Sequence, residues 1–198
     1  MAYPTVAAPY GLIPVNLIGG QVFAGAARSF PIASGSTTAI FFGDVVKLNA
    51  NGTLDKDTGT NTATPVGVFL GCSYTDATFG KTFRQSYPGG VVAADISAMV
   101  SDDPDVLFKV AVCAAGTATV TPVTRVVVGE NSALIQNGGN TATGNSKVAI
   151  SSATAVTSTL PVRIVDVIAE TQSQAGSYTE VIVKWNQGTH AYLNPTGA

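Results

Sequence analysis

The sequence predicts an all-β protein, a β-barrel or β-tulip-like domain with an extended N-terminal arm. Three observations carry the prediction. Short runs rich in Val, Ile, Thr and aromatic residues recur along the chain, separated by Gly, Asn, Asp and Pro clusters, as strands and turns are. Val106 to Cys113 alternates strictly, with Val106, Phe108, Val110 and Val112 on one face and Leu107, Lys109 and Ala111 on the other. The first 34 residues are apolar yet broken by Pro4, Pro9 and Pro14, which forbid regular helix and disfavour a central strand.

Taken in order, residues 1–34 form the arm. Its apolar side chains include Tyr10, Leu12, Ile13, Val15, Leu17 and Ile18. A disordered tail would be polar, so this segment must bury itself, on its own barrel or on a neighbouring subunit; the reading favours the neighbour. Those six residues are the candidate interface. An arm of this kind is separable, so removal of residues 1–20 is expected to leave a folded body.

Residues 35–198 form the barrel-like body, as one unit or as two of about 35–125 and 126–198. A first strand runs from Ala39 to Leu48, with Gly43 at a bulge or bend. Asn49-Ala50-Asn51-Gly52 is a turn, because Asn and Gly tolerate positive φ. Thr53-Leu54 starts the return. Pro65 then leads into Val66-Gly67-Val68-Phe69-Leu70, a strand reaching Ser73. Asp76 to Gly80 turns the chain into Lys81–Gln85. Val92 to Val100 reads as a short helical turn followed by a strand. Asp102-Asp103-Pro104-Asp105 is a turn. The β-branched run Thr117–Val128 contains Pro122 and reads as an edge strand. Gly129 to Ser146 is a long polar loop. Further strands follow at Lys147–Ile150, Thr159–Glu170 and Tyr178–Asn186, with a turn at 172–177 and a polar tail after Asn186 that frays or docks on a partner. Leu160-Pro161-Val162-Arg163-Ile164 echoes Thr64-Pro65-Val66-Gly67-Val68, which leaves duplication and coincidence both open.

Composition narrows the function. Charged residues are 11% of the 198, hydrophobic residues 45%, and mean hydropathy is +0.30. A typical domain carries roughly 25% charge. A surface so poor in charge suits a protein that lies against other protein, as interface cores do. An exported β protein with a Thr/Ser-rich face is the competing reading. The net charge of −2 is spread along the chain without a basic run, which argues against nucleic-acid binding. No apolar stretch approaches the roughly 20 residues of a membrane span. The N-terminus lacks the positive region of a signal peptide, so synthesis and assembly in a cytoplasm are expected.

Reactive chemistry is sparse. Cys72 and Cys113 sit in apolar runs and read as buried free thiols. His190, the single histidine, lies in the polar tail and reads as a surface or interface residue. The aspartates at 102, 103 and 105 lack calcium-loop spacing and read as turn residues. No catalytic residue, cofactor or metal ligand is assigned.

Two groups of residues resemble a known family. Gly43-Asp44-Val45-Val46-x-Leu48, an Asn-Gly turn and Thr64-Pro65-Val66-Gly67-Val68 resemble the capsid decoration, or cement, proteins of tailed bacteriophages. Tyr10-Gly11-Leu12-x-Pro14-Val15-x-Leu17-Ile18-Gly19-Gly20 and Asp102-Asp103-Pro104-x-x-Leu107-Phe108-x-Val110 are similar to virion structural proteins of marine and cyanobacterial phages, as are Pro161–Val165 and Glu180–Lys184. The resemblance spans most of the chain but rests on structural glycines, turns and strands. It implies a non-enzymatic virion protein on the capsid exterior that clamps the major capsid protein, often as a homotrimer at local three-fold positions. A head fibre base, a tail-tube subunit and a secreted carbohydrate-binding or adhesin module are the alternatives.

Overall fold

The computed structural model describes residues 5–172 and 176–196. It is all-β, 38% strand and 3% helical. In chain order the strands are β1 (Ile13–Leu17), β2 (Arg28–Pro31), β3 (Val45–Leu48), β4 (Leu54–Lys56), β5 (Gly67–Asp76), β6 (Gly80–Arg84), β7 (Ser97–Ser101), β8 (Val106–Cys113), β9 (Asn131–Ser132), β10 (Leu134–Ile135), β11 (Ala149–Ser151), β12 (Val162–Val167) and β13 (Glu180–Trp185).

Two sheets are built on the two longest strands. Around β8 the order is β10-β11-β8-β13-β12-β9, with β1 also on β8. β9 and β10 are separated only by Ala133, so the sheet nearly closes into a barrel. Around β5 the order is β2-β7-β5-β3-β4, with β6 also on β5. A parallel bridge from Ile32 to Leu54 brings the ends of that order together.

Side-chain alternation explains the packing. The inward set of β8, Val106, Phe108, Val110 and Val112, is fully buried with Val162, Ile164, Val181, Val183 and Trp185 in the larger core. Its opposite face is not left wet: Ala111 and Cys113 pack with Ile135, Ala149 and Tyr178 under the N-terminal segment. The pair β3/β5 is a wall between two cores. Val45 and Val68 face the larger core, while their chain neighbours Val46 and Phe69 face the second, with Tyr74, Tyr87 and Val100. Burial on both faces is why these strands read as continuous apolar runs.

Glycines permit two close approaches at this wall. Gly11 and Gly43 cross with φ of +87° and +88°, and a Cβ on Gly11 would lie 2.6 Å from the Gly43 carbonyl oxygen. A Cβ on Gly67 would lie 2.2 Å from the Ser101 carbonyl oxygen. Beside the crossing, the fully buried Asp44 carboxylate accepts from Phe41 N (2.9 Å) and Ser146 Oγ (2.6 Å) and pairs with Lys56 Nζ at 2.9 Å. A buried pair persists only when its remaining hydrogen bonds are satisfied, and here backbone and hydroxyl donors do that.

Several expectations need correction. Residues 92–96 hold no helical turn; the chain runs irregularly into β7. The run 117–128 makes one bridge, Val120 to Cys113, and a 3-10 turn at Arg125–Val127. Pro122 lacks the N–H a ladder needs, and Val123 and Val127 reach the core singly. The polar loop 129–146 carries β9 and β10, which close the barrel. The polar tail docks on its own chain: Asn186 N and Thr189 Oγ1 donate to the Pro161 carbonyl, and Ala191 N donates to that of Pro65. Of the two echo strands, β5 is a hub paired by three strands, while β12, among the described residues, pairs with β13 and β9. Residues 1–4 of the arm, 173–175 of the predicted turn and 197–198 of the tail lie outside the described residues.

Candidate interaction surface

The six predicted interface residues occupy one stretch but different environments. Leu12 is fully buried in the larger core. Ile13, Val15 and Leu17 lie in β1, antiparallel to the start of β8, with a bulge between Pro14 and Asn16. Tyr10 donates to Glu180 Oε1 (2.5 Å), Lys109 Nζ lies 5.5 Å from its ring centroid, and the same ammonium is 3.2 Å from Glu180. Burial and that carboxylate raise the Tyr10 pKa well above the ordinary phenol value. Only Ile18, 47% exposed, presents substantial apolar surface. Residues 10–17 therefore complete the chain's own barrel, and removal of 1–20 would strip a core residue and a strand.

Large exposed aromatic side chains lie elsewhere. β5 and β6 form a hairpin closed by Gly80 at φ +71°. Asp76 Oδ1 accepts from Thr78 N (2.8 Å) and Phe79 N (3.1 Å), which organises the turn and holds its carboxyl below the usual range. Cys72 and Tyr74 point into the second core, so Gly71, Ser73 and Thr75 face out. Directly opposite Ser73 stands Phe83, and opposite Gly71 on the other side stands Met99. Phe79 and Phe83 are 76% and 77% exposed, and Met99 is 51% exposed. Val92 lies exposed beside the same hairpin, across a groove lined by Tyr74 to Ala77. Lys81, on the outward face with Phe83, pairs with Asp95 at 2.9 Å, and Thr75 donates to that carboxylate from both N and Oγ1. Those donors hold the Asp95 carboxyl well below its usual range.

Sequence reasoning passed over this surface because Phe83 looks like any strand aromatic. The signal was present in register: counting back from the turn places Phe83 on the face that carries Ser73, Thr75 and Lys81.

His190 is not a surface residue. It is fully buried, with its ring centroid 6.4 Å from Trp185 and 5.1 Å from Tyr192, and Nδ1 accepts from Tyr192 N at 3.3 Å. Burial lowers its pKa below the ordinary 6.5, against a partial pull from the Val66 and Asp102 backbone. Tyr192 donates to Asp102 Oδ2 (2.8 Å), as does Arg28 Nε (2.5 Å), and the Arg28 guanidinium stacks on the Tyr192 ring at 5.2 Å. Burial, then Asp102, push the Tyr192 hydroxyl up to about 12. This cluster staples the tail onto β2 and the β7–β8 turn. Both cysteines are free and buried, and burial pushes each thiol up to about 11. Among the described residues, no three His, Cys, Asp or Glu side chains are grouped to hold a metal ion, and no helix is long and apolar enough to cross a membrane.

No family model, curated protein or solved structure matches the chain.

Proposed function

We propose that this chain is a virion structural protein that binds the outer surface of an assembled capsid and cements neighbouring major capsid subunits. The single observation that carries the proposal is the outward face of the β5–β6 hairpin. It carries Phe79 and Phe83, each about three-quarters exposed, with half-exposed Met99 on the strand along the other edge of β5, on a charge-poor body. Two such phenylalanines on one hairpin, rather than scattered singly over the surface, mark a face that another protein covers. The resemblance of the Gly43–Val68 stretch to capsid decoration proteins supplies the partner, and the homotrimer it implies is part of the proposal. The mechanism is mass action. A protein that binds only the assembled, expanded shell stabilises it by RT ln(1 + [L]/Kd), about 2.7 kcal/mol per site at a free concentration of 100 Kd. Repeated over many sites, a modest affinity becomes a durable shell.

The test is copy number. Quantitative mass spectrometry of purified particles that contain this chain is expected to give copies comparable to the major capsid protein. A handful of copies per particle favours a fibre base or tail-tube subunit instead. Absence from particles, with binding on a glycan array, favours the secreted carbohydrate-binding module.

A further inference from the structure

We propose that the groove on the outer face of the β8 barrel is a docking site for an extended segment carrying carboxylates among apolar side chains. The groove has a volume of about 580 Å³. Ile18 and Leu193 present half-exposed apolar surface in it beside Arg163 and Lys184, while Ile164 and Trp185 border it with their side chains buried in the larger core.

The charge pattern is the telling feature. Arg163 on β12 and Lys184 on β13 are directly opposite partners in the antiparallel ladder. Like charges in that relation are destabilising by a few tenths to about 1 kcal/mol. Among the described residues no carboxylate relieves them. Among the described residues neither makes an ion pair, as is also true of Lys47, Arg84 and Lys147, whereas Arg28, Lys56, Lys81, Lys109 and Arg125 each have a carboxylate within 3.2 Å; what sets Arg163 and Lys184 apart is that they stand opposite each other. Arg163 Nε donates only to the neutral Asn131 Oδ1, at 2.9 Å. No Asp or Glu lines the groove. In a chain with ten cations and twelve anions, two adjacent cations beside exposed apolar side chains are complementary to a ligand that brings its own carboxylates. Apolar side chains on either side of those carboxylates would cover Ile18 and Leu193. An extended peptide alternates in this way naturally.

Trp185 is the single tryptophan, it borders the groove from the core side, and its indole N–H has no acceptor among the described residues, so it serves as a built-in reporter. The probe is acetyl-Ser-Leu-Asp-Leu-Asp-Ser-amide, titrated at low ionic strength with Trp185 emission as the readout. Its Asn-for-Asp counterpart is the control. The acidic peptide is expected to bind at least tenfold more tightly than the neutral one, with affinity falling as salt is added. Lys184→Glu converts the like-charge pair into an ion pair. It is expected to abolish binding of the acidic peptide while raising Tm by about 1–3 °C. That combination separates a docking role from a structural one, which would not trade binding for stability. Equal binding of the two peptides, binding of neither, or undiminished binding to the Lys184→Glu variant overturns the proposal. Tighter binding of dodecanoate than of the acidic peptide overturns the peptide assignment in favour of a small anionic amphiphile. The site stands independently of the virion reading, since neither its geometry nor its probe involves a capsid.

Discussion

The two hub strands are alike in plan and different in finish. β5 has β7 along one edge and β3 and β6 sharing the other; β8 has β13 along one edge and β1 and β11 sharing the other. Around β8 both faces are buried and Asn131–Ile135 spans the gap between the sheet's ends. Around β5 the distal half is paired by a short strand whose outward side chains meet water. An unfinished strand edge is a liability that proteins blunt with charge or cover with a partner. β6 carries Lys81 and Arg84 at that edge and Phe83 between them. The difference teaches that the β8 body is completed by its own chain, whereas the β5 body leaves Phe79, Phe83 and Met99 exposed.

Substitution of one phenylalanine in each body tests the contrast most forcefully. Phe108 is fully buried, with its ring 5.2 Å from Trp185, and Phe108→Ala is expected to cost about 3–5 kcal/mol in denaturant melts. Phe83→Ala is expected to stay within about 0.5 kcal/mol. Comparable losses for the two would show that the hairpin is part of the folding core and break the comparison.

Glycine substitutions sharpen it. Gly11→Ala meets both a positive φ, costing about 1–2 kcal/mol, and a backbone oxygen too close to the new Cβ, costing about 1–3 more. Gly80→Ala at the hairpin turn meets only the positive φ, because nothing lies within 4 Å of its Cβ. Urea titrations of the two variants are expected to rank Gly11→Ala clearly below Gly80→Ala.

The two regions also differed in how far the sequence revealed them. The alternation of Val106–Cys113 and the run Val66–Leu70 placed both hubs, because strand period and two-sided burial are local signals. The barrel closure through 131–135 was hidden in a stretch of Gly and Asn. Two-residue strands leave no period to read, and their pairing depends on partners far along the chain. The place of Leu12 in the chain's own core was hidden for a related reason. Apolar character says that Leu12 must be buried, but not whether its own chain or another supplies the cover. His190 was missed because a polar tail gives no hint that Pro65 and Pro161 carbonyls will hold it down.

A smaller effect tests the tail's part in joining the bodies. His190 has its folded-state pKa lowered by burial. Above about pH 6.5 both folded and unfolded chains hold it neutral, and its contribution is constant. As pH falls through 6.5 the unfolded chain takes up the proton and the folded one resists. Stability then falls, by at most about 1.4 kcal/mol per pH unit, until the folded pKa is reached. Melting curves at pH 7.5 and 5.5 are expected to show a decrease that His190→Phe reduces. An identical decrease in the variant would assign the effect to other groups.

The central claim is that the hairpin face binds a shell, and co-sedimentation measures it directly. Under the proposed function, purified chain is mixed with expanded, undecorated capsids of the proposed cognate phage, alongside a Phe79→Asp/Phe83→Asp variant shown by its melting curve to be folded. The account predicts that the unaltered chain pellets with the shells at near-stoichiometric occupancy and that the variant stays in the supernatant. Equal pelleting of both proteins, or of neither, would contradict it.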